Sequence, residues 1–426
     1  MSRRTALRRA AIIGLSLPAA LGLLAAGQRT SGAQEKPTIR LATWAGVEEA
    51  NELQGVIDRI NQSATAFQIV SEPQPSDYYT KLQTTLAGGT AADLFWLSQE
   101  HIPSYATRGA LLDIGERLAT DAANPAAKLD DYFPAARATA QYDGKTYALP
   151  WISQPMVLYY NPALFEAKGV APPDDSWDWT VFKEAAGSLT DPAQGVYGTS
   201  FSEEWPPLQM FIWQAGGEVI SEDLASCPID SEAAIQAADW FADIIHNEAY
   251  APSEATITEQ GFGEMAKAGK VAMFFGGAAD DLDYAHLKDP KNAVMRVSLV
   301  PKGPQNRANL AYTATTSINP ESENQDAAYQ ALVALTEGIH HWKVGAPRQS
   351  LNNVETIVAS RAEKAESAET IVRATADMRA FRNIPSQIEW NETFVEYYLT
   401  PLVNDEGTAE ELAPDARAEL EALLPS

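Results

Sequence analysis

Between Thr38 and Leu97 the chain alternates strand-like and helix-like segments without interruption, and that alternation restricts its fold more than any other feature. In 38-TIRLATW-44, Ile39, Leu41 and Thr43 alternate with Arg40, Ala42 and Trp44, the two-residue period of a strand. A helix is predicted over 48–61, with Leu53, Val56, Ile57 and Ile60 on one face, and a second strand in 66-AFQIVSEP-73. Asp77 can cap a further helix carrying Tyr79, Leu82 and Leu86, which Gly88-Gly89 would stop, and 93-DLFWL-97 reads as a third strand. Strands joined by helices predict a doubly wound parallel sheet. Ligands of such sheets bind beyond the carboxyl ends of the strands, where Trp44 and Ser98-Gln99-Glu100 would lie.

A second series follows. Strands are expected at 156-MVLYY-160, 271-VAMFF-275 and 294-VMRVSLV-300, with helices at 179–189, 207–215, 231–247 and 258–268. Ile235, Ala238, Phe241, Ile244 and Ile245 stripe the third of these helices. After 301-PKGP-304 a strand is expected around 310–318 and a helix from Asp326 to Thr336, before a mostly helical, acidic C-terminal region. There is no internal repeat and no low-complexity linker. Two α/β lobes joined by several rigid crossings fit this pattern.

Residues 1–33 belong to neither lobe. Arg3, Arg4, Arg8 and Arg9 precede an apolar run from Ala10 to Ala26, and small residues lead to Ser31-Gly32-Ala33, which predicts a cleaved signal peptide. Ser2-Arg3-Arg4 also fits a twin-arginine signal, although Ala6 is a weak residue for it, so export by the Sec or the twin-arginine route stays open. The segment holds five Arg and no acid, so its removal takes the formal charge from −26 to −31. Such a chain is repelled by nucleic-acid phosphates and anionic lipid, which excludes a nucleic-acid function. Lone Cys227 can form no internal disulfide.

Motifs for chemistry fail one by one. Gly261 to Ala266 follows polar 256-TITEQ-260 and not a strand, so its dinucleotide-like spacing carries no weight. Gly263 to Gly269-Lys270 has the wrong length for a phosphate loop, and Val271 stands where a metal-binding hydroxyl is needed. No nucleophile elbow occurs. The five histidines are scattered and read as surface residues, so no metal site and no cofactor is expected. Glu203-Glu204 and Asp280-Asp281 could supply acid–base groups, but sequence cannot set two carboxylates across one bond as a glycosidase requires.

The tryptophans say more. Trp44, Trp96, Trp151, Trp205 and Trp213 fall near predicted element ends with polar neighbours, whereas Trp240 sits on a core stripe. Sugar C–H faces pack on aromatic rings and their hydroxyls need planar polar partners, so these positions suggest a carbohydrate cleft. The stretch 142-YDGKTYALPWISQPMVLYYN-161 is the oddest: Pro150-Trp151, then Gln154-Pro155, at the mouth of a strand.

Taken in order, 78-YYTKLQTTLAGGTAADLFWL-97, 109-GALLDIGE-116, the stretch from Tyr142 through 160-YNPALFEAKGVAPP-173, 211-FIWQAGGEVI-220, 269-GKVAMFFGG-277, 299-LVPKGP-304 and 346-APRQSL-351 resemble the maltodextrin-binding-like family, the extracellular solute-binding proteins of sugar ABC importers. The resemblance implies two α/β lobes with the sugar held between them. It places the first crossing at Pro150–Pro155, a second at Val297–Pro301 and a third near 338–346. The first lobe would comprise 34–150 and 302–340, and the second 151–301 and 341–426. It further implies a monomeric, non-enzymatic, periplasmic protein that closes on a sugar and delivers it to membrane permease subunits. The ligand set it implies is Trp44, Glu48, Glu49, Tyr78, Tyr79, Trp96, Gln99, Glu100, Trp151, Gln154, Trp205, Gly277, Asp280, Arg348 and Trp390, with Trp96 and Trp205 as the stacking rings. Where relatives carry a stacking Trp after Gly276-Gly277, this chain has Ala278-Ala279, so maltodextrin itself does not follow. An exported carbohydrate-active enzyme, or a binding protein for a polyol or small nonsugar solute, are the alternatives.

Overall fold

The computed structural model describes residues 36–201 and 207–425; the signal segment 1–33 and Trp205 lie outside them. Nine strands form one sheet: β1 (Thr38–Thr43), β2 (Gln68–Pro73), β3 (Leu94–Ser98), β4 (Ala148–Tyr160), β5 (Tyr197–Ser200), β6 (Val271–Gly277), β7 (Arg296–Ser298), β8 (Asn309–Ile318) and β9 (Met378–Arg379). Their order is β2-β1-β3-β8-β4-β6-β5, with β7 also on β4 and β9 on β8. Helices α1 (Val47–Ser63) and α2 (Tyr78–Ala87) connect the first three strands, which are mutually parallel as expected. The sheet as a whole is mixed, because β8 runs antiparallel to both β3 and β4, and β4 antiparallel to β6.

β4 is the surprise. The odd stretch does not precede a strand; it is the middle of one that runs unbroken for 13 residues. From Ala148 to Pro155 it pairs with β8, and from Met156 to Tyr160 with β6 and β7. The pairing passes from Thr315–Pro150 to Ala314–Ile152, which leaves Trp151 as the extra residue of a β-bulge. At the changeover Asn309 completes the ladder with its side chain. Its Oδ1 accepts from Met156 N at 3.0 Å and its Nδ2 donates to Met156 O at 2.8 Å.

Three apolar clusters flank this sheet, and they divide at the same place. One holds residues from Ile39 to Ile152 together with Ala314 to Ile339. The others hold Met156 and Val157 onward, one including Ala308 and Leu310, the other ending at Ala374. Between them lie buried Ser153 and Thr313, whose hydroxyls meet at 3.0 Å. Thus β4 and β8 pass through both lobes. Residues 302–306 bond to Trp177, Trp213 and Gln214 of the second lobe, so the second long passage between the cores is β8 itself.

Helix α3 (Gln325–His340) covers the first lobe, and the chain then returns past the hinge, where Gly345 O accepts from Ser153 N at 2.8 Å. Local departures from expectation have local causes. Asp77 precedes α2 but has a φ of 52° and makes no side-chain cap bond. The helix expected at 258–268 is broken into Glu254–Gln260 and Phe262–Lys267 by Gly261 at φ 78°. His101 and His340 are buried, not surface residues; His340 Nε2 donates to Pro150 O at 2.9 Å, tying α3 to β4.

Gly345 has a φ of 85° and a Cβ there would sit 3.2 Å from the Gln154 Cβ. A side chain at this position meets both left-handed backbone strain and a crowded hinge. Gly345→Ala is therefore expected to cost about 1–3 kcal/mol, read as a lower urea midpoint at unchanged slope.

Candidate functional site

At the carboxyl ends of β1 and β3 the sequence sets aromatic residues that the fold brings into one wall. Trp44 lies 5.1 Å from Trp96, 6.1 Å from Trp151, 5.5 Å from Tyr78 and 6.3 Å from Tyr79, ring centre to ring centre. Trp96 and Trp151 are 4.4 Å apart. The wall has depth. Trp96 and Trp151 have 0% and 3% of their surface exposed and form its base, whereas Trp44 and Tyr79 are half-buried and form its outer layer. Trp96 is thus placed as support and not as a platform that a ligand could stack on. The bulge at Trp151 turns that ring into the first-lobe cluster.

Polar groups lock the wall. Tyr78 donates to Trp96 O at 2.8 Å, and burial holds its phenol far above the ordinary tyrosine range. The Tyr79 hydroxyl meets Ser98 Oγ at 2.7 Å, and Ser98 Oγ reaches Glu100 Oε1 at 2.5 Å. Burial raises the Glu100 carboxyl above its usual range, partly opposed by the Ser98 bond. The Tyr79 ring stacks on His101 at 3.7 Å. Gln99 is committed to structure: its Oε1 accepts from Thr313 N at 3.1 Å, and its main-chain O accepts from Asn383 Nδ2 of the second lobe at 2.9 Å.

Opposite this wall the second lobe contributes the turn after β6. Gln154 Oε1 accepts from Ala279 N at 2.6 Å, and Asp280 Oδ2 accepts from Gly277 N at 2.9 Å. A Cβ on Gly277 would lie 2.5 Å from Gln154 Oε1, so only glycine lets the turn approach the hinge this closely. Burial pushes the Asp280 carboxyl up to about 6. Behind the turn, Lys364 Nζ is fully buried, bonded to Asp283 Oδ1 at 2.7 Å and to Asp280 O, and Ser367 Oγ caps the other Asp283 oxygen. Ala279 packs against both the first-lobe core and a second-lobe core, which marks it as the point where the lobes face each other.

Several residues of the expected set lie elsewhere. Trp390 is fully buried in the second-lobe core, stacked on Phe394 at 5.3 Å with its Nε1 3.3 Å from Cys227 Sγ. Trp213 is likewise core. Arg348 is buried against the first lobe, paired with Glu337 at 3.0 Å and bridged to Tyr132. Glu49 is bonded to Lys343 at 2.6 Å, and Glu48 is exposed at the start of α1. Residues that the sequence did not single out include His101, Tyr312, which pairs with Gln154 on β8, and Asn383. Asn383 opens 383-NIPS-386 and His101 follows Glu100 directly, so nearness to a strand end was the only available signal. Among the described residues no group of three or more His, Cys, Asp or Glu is placed to hold a metal ion, and no helix is long and apolar enough to cross a membrane.

The model of the bacterial extracellular solute-binding proteins matches residues 46–337. The chain belongs to that family. Among curated relatives, it is 33% identical over 146 residues to the erythritol/L-threitol-binding protein of Mycolicibacterium smegmatis, covering 31% of this chain and 30% of that one. It is 26% identical over 212 residues to the maltotriose-binding protein of Pyrococcus abyssi, covering 48% and 43%. The chain thus aligns to less than half the length of either relative. The fold extends much further. An ABC substrate-binding protein from Listeria monocytogenes, solved with cycloalternan, superposes with a TM-score of 0.79 at 21% identity, covering 91% of this chain and 99% of that one. A solute-binding protein from Agrobacterium radiobacter, solved with ribitol, gives 0.72 at 18%, covering 91% and 98%. Both likenesses show that the fold is shared over nearly the whole chain. Membership of an extracellular binding family makes this an exported binding protein.

Two outcomes follow from the layered wall. Trp96→Ala is expected to cost about 3–5 kcal/mol of stability, since it empties a closed core position, and calorimetric unfolding measures it. The second concerns protons. Burial pushes His101 down to about 4 and His340 down to about 3, whereas the unfolded chain takes up these protons near the ordinary value of about 6.5. Between those values the unfolded state binds more protons, so both groups make stability fall as pH drops below about 6.5. His101→Gln should flatten that fall in urea midpoints compared between about pH 7 and pH 4; an unchanged slope would count against it.

Proposed function

We propose that the protein captures a small sugar or polyol between its lobes and delivers it, as a periplasmic monomer, to the permease subunits of an ABC importer after export directed by residues 1–33. The lobes would be 34–152 with 314–340, and 154–312 with 354–426, a shift of the expected bounds of 34–150 with 302–340 and 151–301 with 341–426 to the division of the cores. The division of the apolar cores at Ser153 and Thr313 supports this assignment, and 341–353 bonds to both sides of it. The single observation that carries the binding role is the half-exposed pair Trp44 and Tyr79, laid over a buried Trp96–Trp151 base at the strand ends, with Ala279 of the turn after β6 packed on the same cluster. Aromatic faces take C–H groups, and the amide and carboxyl groups around them take hydroxyls.

Binding is favoured over hydrolysis by what the carboxylates do. Glu49 pairs with Lys343, Glu100 accepts from Ser98, and Asp280 holds its own turn. Each is committed to a structural partner. A short polyol is favoured over a long oligosaccharide by Ala278-Ala279, which adds no second ring opposite Trp44, and by the relatives named for erythritol/L-threitol and mannitol.

A thermal-shift panel of polyols, monosaccharides and maltodextrins on the mature chain identifies the ligand class. With the best ligand, Trp44→Ala is expected to weaken binding at least about tenfold, roughly one ring-stacking contact, while the protein stays folded. Calorimetry showing wild-type affinity in that variant would remove the stacking role, and release of reducing ends from an oligosaccharide would favour the enzyme.

A further inference from the structure

Helix α1 begins three residues after Trp44 and carries Glu48, Glu49 and Glu52 on its first turns. Glu49 and Glu52 are three apart, so they share one face of the helix. Both accept from later segments of the chain: Trp342 packs on the edge of the first-lobe core, Lys343 follows it, and Arg361 comes from the second lobe. Glu52 Oε2 accepts from Trp342 Nε1 at 2.9 Å and from Arg361 Nη2 at 2.9 Å. Glu49 pairs with Lys343 Nζ, which in turn lies 4.4 Å from the centre of the Trp342 ring. Trp342 and Lys343 belong to the return segment that reaches the hinge at Gly345. Arg361 ends the helix Val354–Ser360, whose Ile357 is part of a second-lobe core. One carboxylate therefore touches the first lobe, the hinge return and the second lobe at once.

This contact differs in kind from the other ion pair nearby. Lys364–Asp283 is 0% and 4% exposed and lies within the second lobe, so breaking it would strand a buried charge. Glu52 and Arg361 are 46% and 26% exposed, so either group can separate into water at small cost. A pair that joins the two lobes in this structure and is cheap to separate suits a moving joint. Burial alone would raise the Glu52 carboxyl, but its bonds from Trp342 and Arg361 hold it below the usual range, so it is charged at neutral pH.

We propose that Glu52, Trp342 and Arg361 form a clasp between the lobes that favours the closed arrangement independently of any ligand, and that the acids of α1 serve closure in place of ligand contact. The proposal rests on the lobe-closure reading above. A ligand that needs the closed form binds with an apparent affinity scaled by the fraction of chains already closed, so the clasp sets affinity without touching the ligand.

The test uses the mature chain, in wild type, Glu52→Gln, Arg361→Gln and the charge-reversed pair Glu52→Arg with Arg361→Glu. Small-angle scattering without ligand should show both single variants more open than wild type. Binding of the best ligand from the panel should weaken roughly three- to tenfold in each, through faster dissociation. The reversed pair should recover much of the lost affinity, which a local structural defect would not. Raising salt from about 50 to about 500 mM should weaken wild-type binding more than Glu52→Gln binding. Unchanged scattering and unchanged affinity in both single variants, or a reversed pair no better than its singles, would overturn the clasp. A shift in scattering with no member of the panel binding any variant would instead retain the clasp and remove the sugar–polyol reading.

Discussion

The structure depends on one antiparallel pairing, β4 against β8, which continues from one apolar core into the other. A sheet normally ends where its core ends. Here β4 exchanges its neighbour at Pro155, leaving β8 for β6, and Asn309 supplies from a side chain the hydrogen bonds that the exchange would otherwise leave open. Pro150 and Pro155 carry no N–H, so they sit where a ladder bond can be spared, and their fixed φ limits the ways this segment can deform. The join between the lobes is polar, at Ser153, Gln154 and Thr313, while the cores on either side are apolar. Flexure at that seam separates no large apolar surface.

Everything that faces the cleft is positioned from this seam. The bulge sends Trp151 toward Trp96, and the two buried rings fix the height of Trp44 and Tyr79. On the other side, Gln154 holds the turn after β6 while buried Lys364 and Asp283 brace it from behind. Both sides of the cleft are thus held by internal contacts, and the polar seam is where the proposed rotation of the lobes would fall. Such an arrangement converts ligand contact into a change of population, since contacts to both walls can form together only when the lobes are near.

Much of this was legible in the sequence, and the reasons for the rest are specific. The alternation from Thr38 to Leu97 gave the first lobe's parallel strands nearly residue for residue, because half-buried strands and amphipathic helices each impose a period. The long strand β4 was not readable, since two prolines and the polar pair Ser153-Gln154 look like a break when only local propensity is considered. The bulge has a further effect: by pairing, Leu149, Ile152 and Gln154 share a face, whereas simple alternation groups Leu149 with Ser153. The tryptophans near predicted element ends included Trp44, Trp96 and Trp151, which the fold brings together, but which of them would be exposed was not legible, because depth is set by partners distant in sequence. Trp390 and Arg348 illustrate the same limit: an anchoring motif nearby does not reveal that one ring meets Cys227 and that the guanidinium meets Glu337. The histidines misled because a polar residue at a helix end reads as exposed, whereas His340 lies on the buried face of α3 against Tyr132 and bonds to Pro150 O.

Gln154 is wedged between two glycines, Gly277 from the second lobe and Gly345 from the hinge return, and the clearance on each side is less than one methyl group. Any replacement that is branched, or longer, would press on both segments at once. Size at position 154 is therefore fixed by both segments, and a bulkier residue there would displace the turn after β6 and the hinge return together. The outer wall at Trp44 and Tyr79 is only half-buried and stands apart from these two glycine contacts, so side chains there can change without pressing on the hinge.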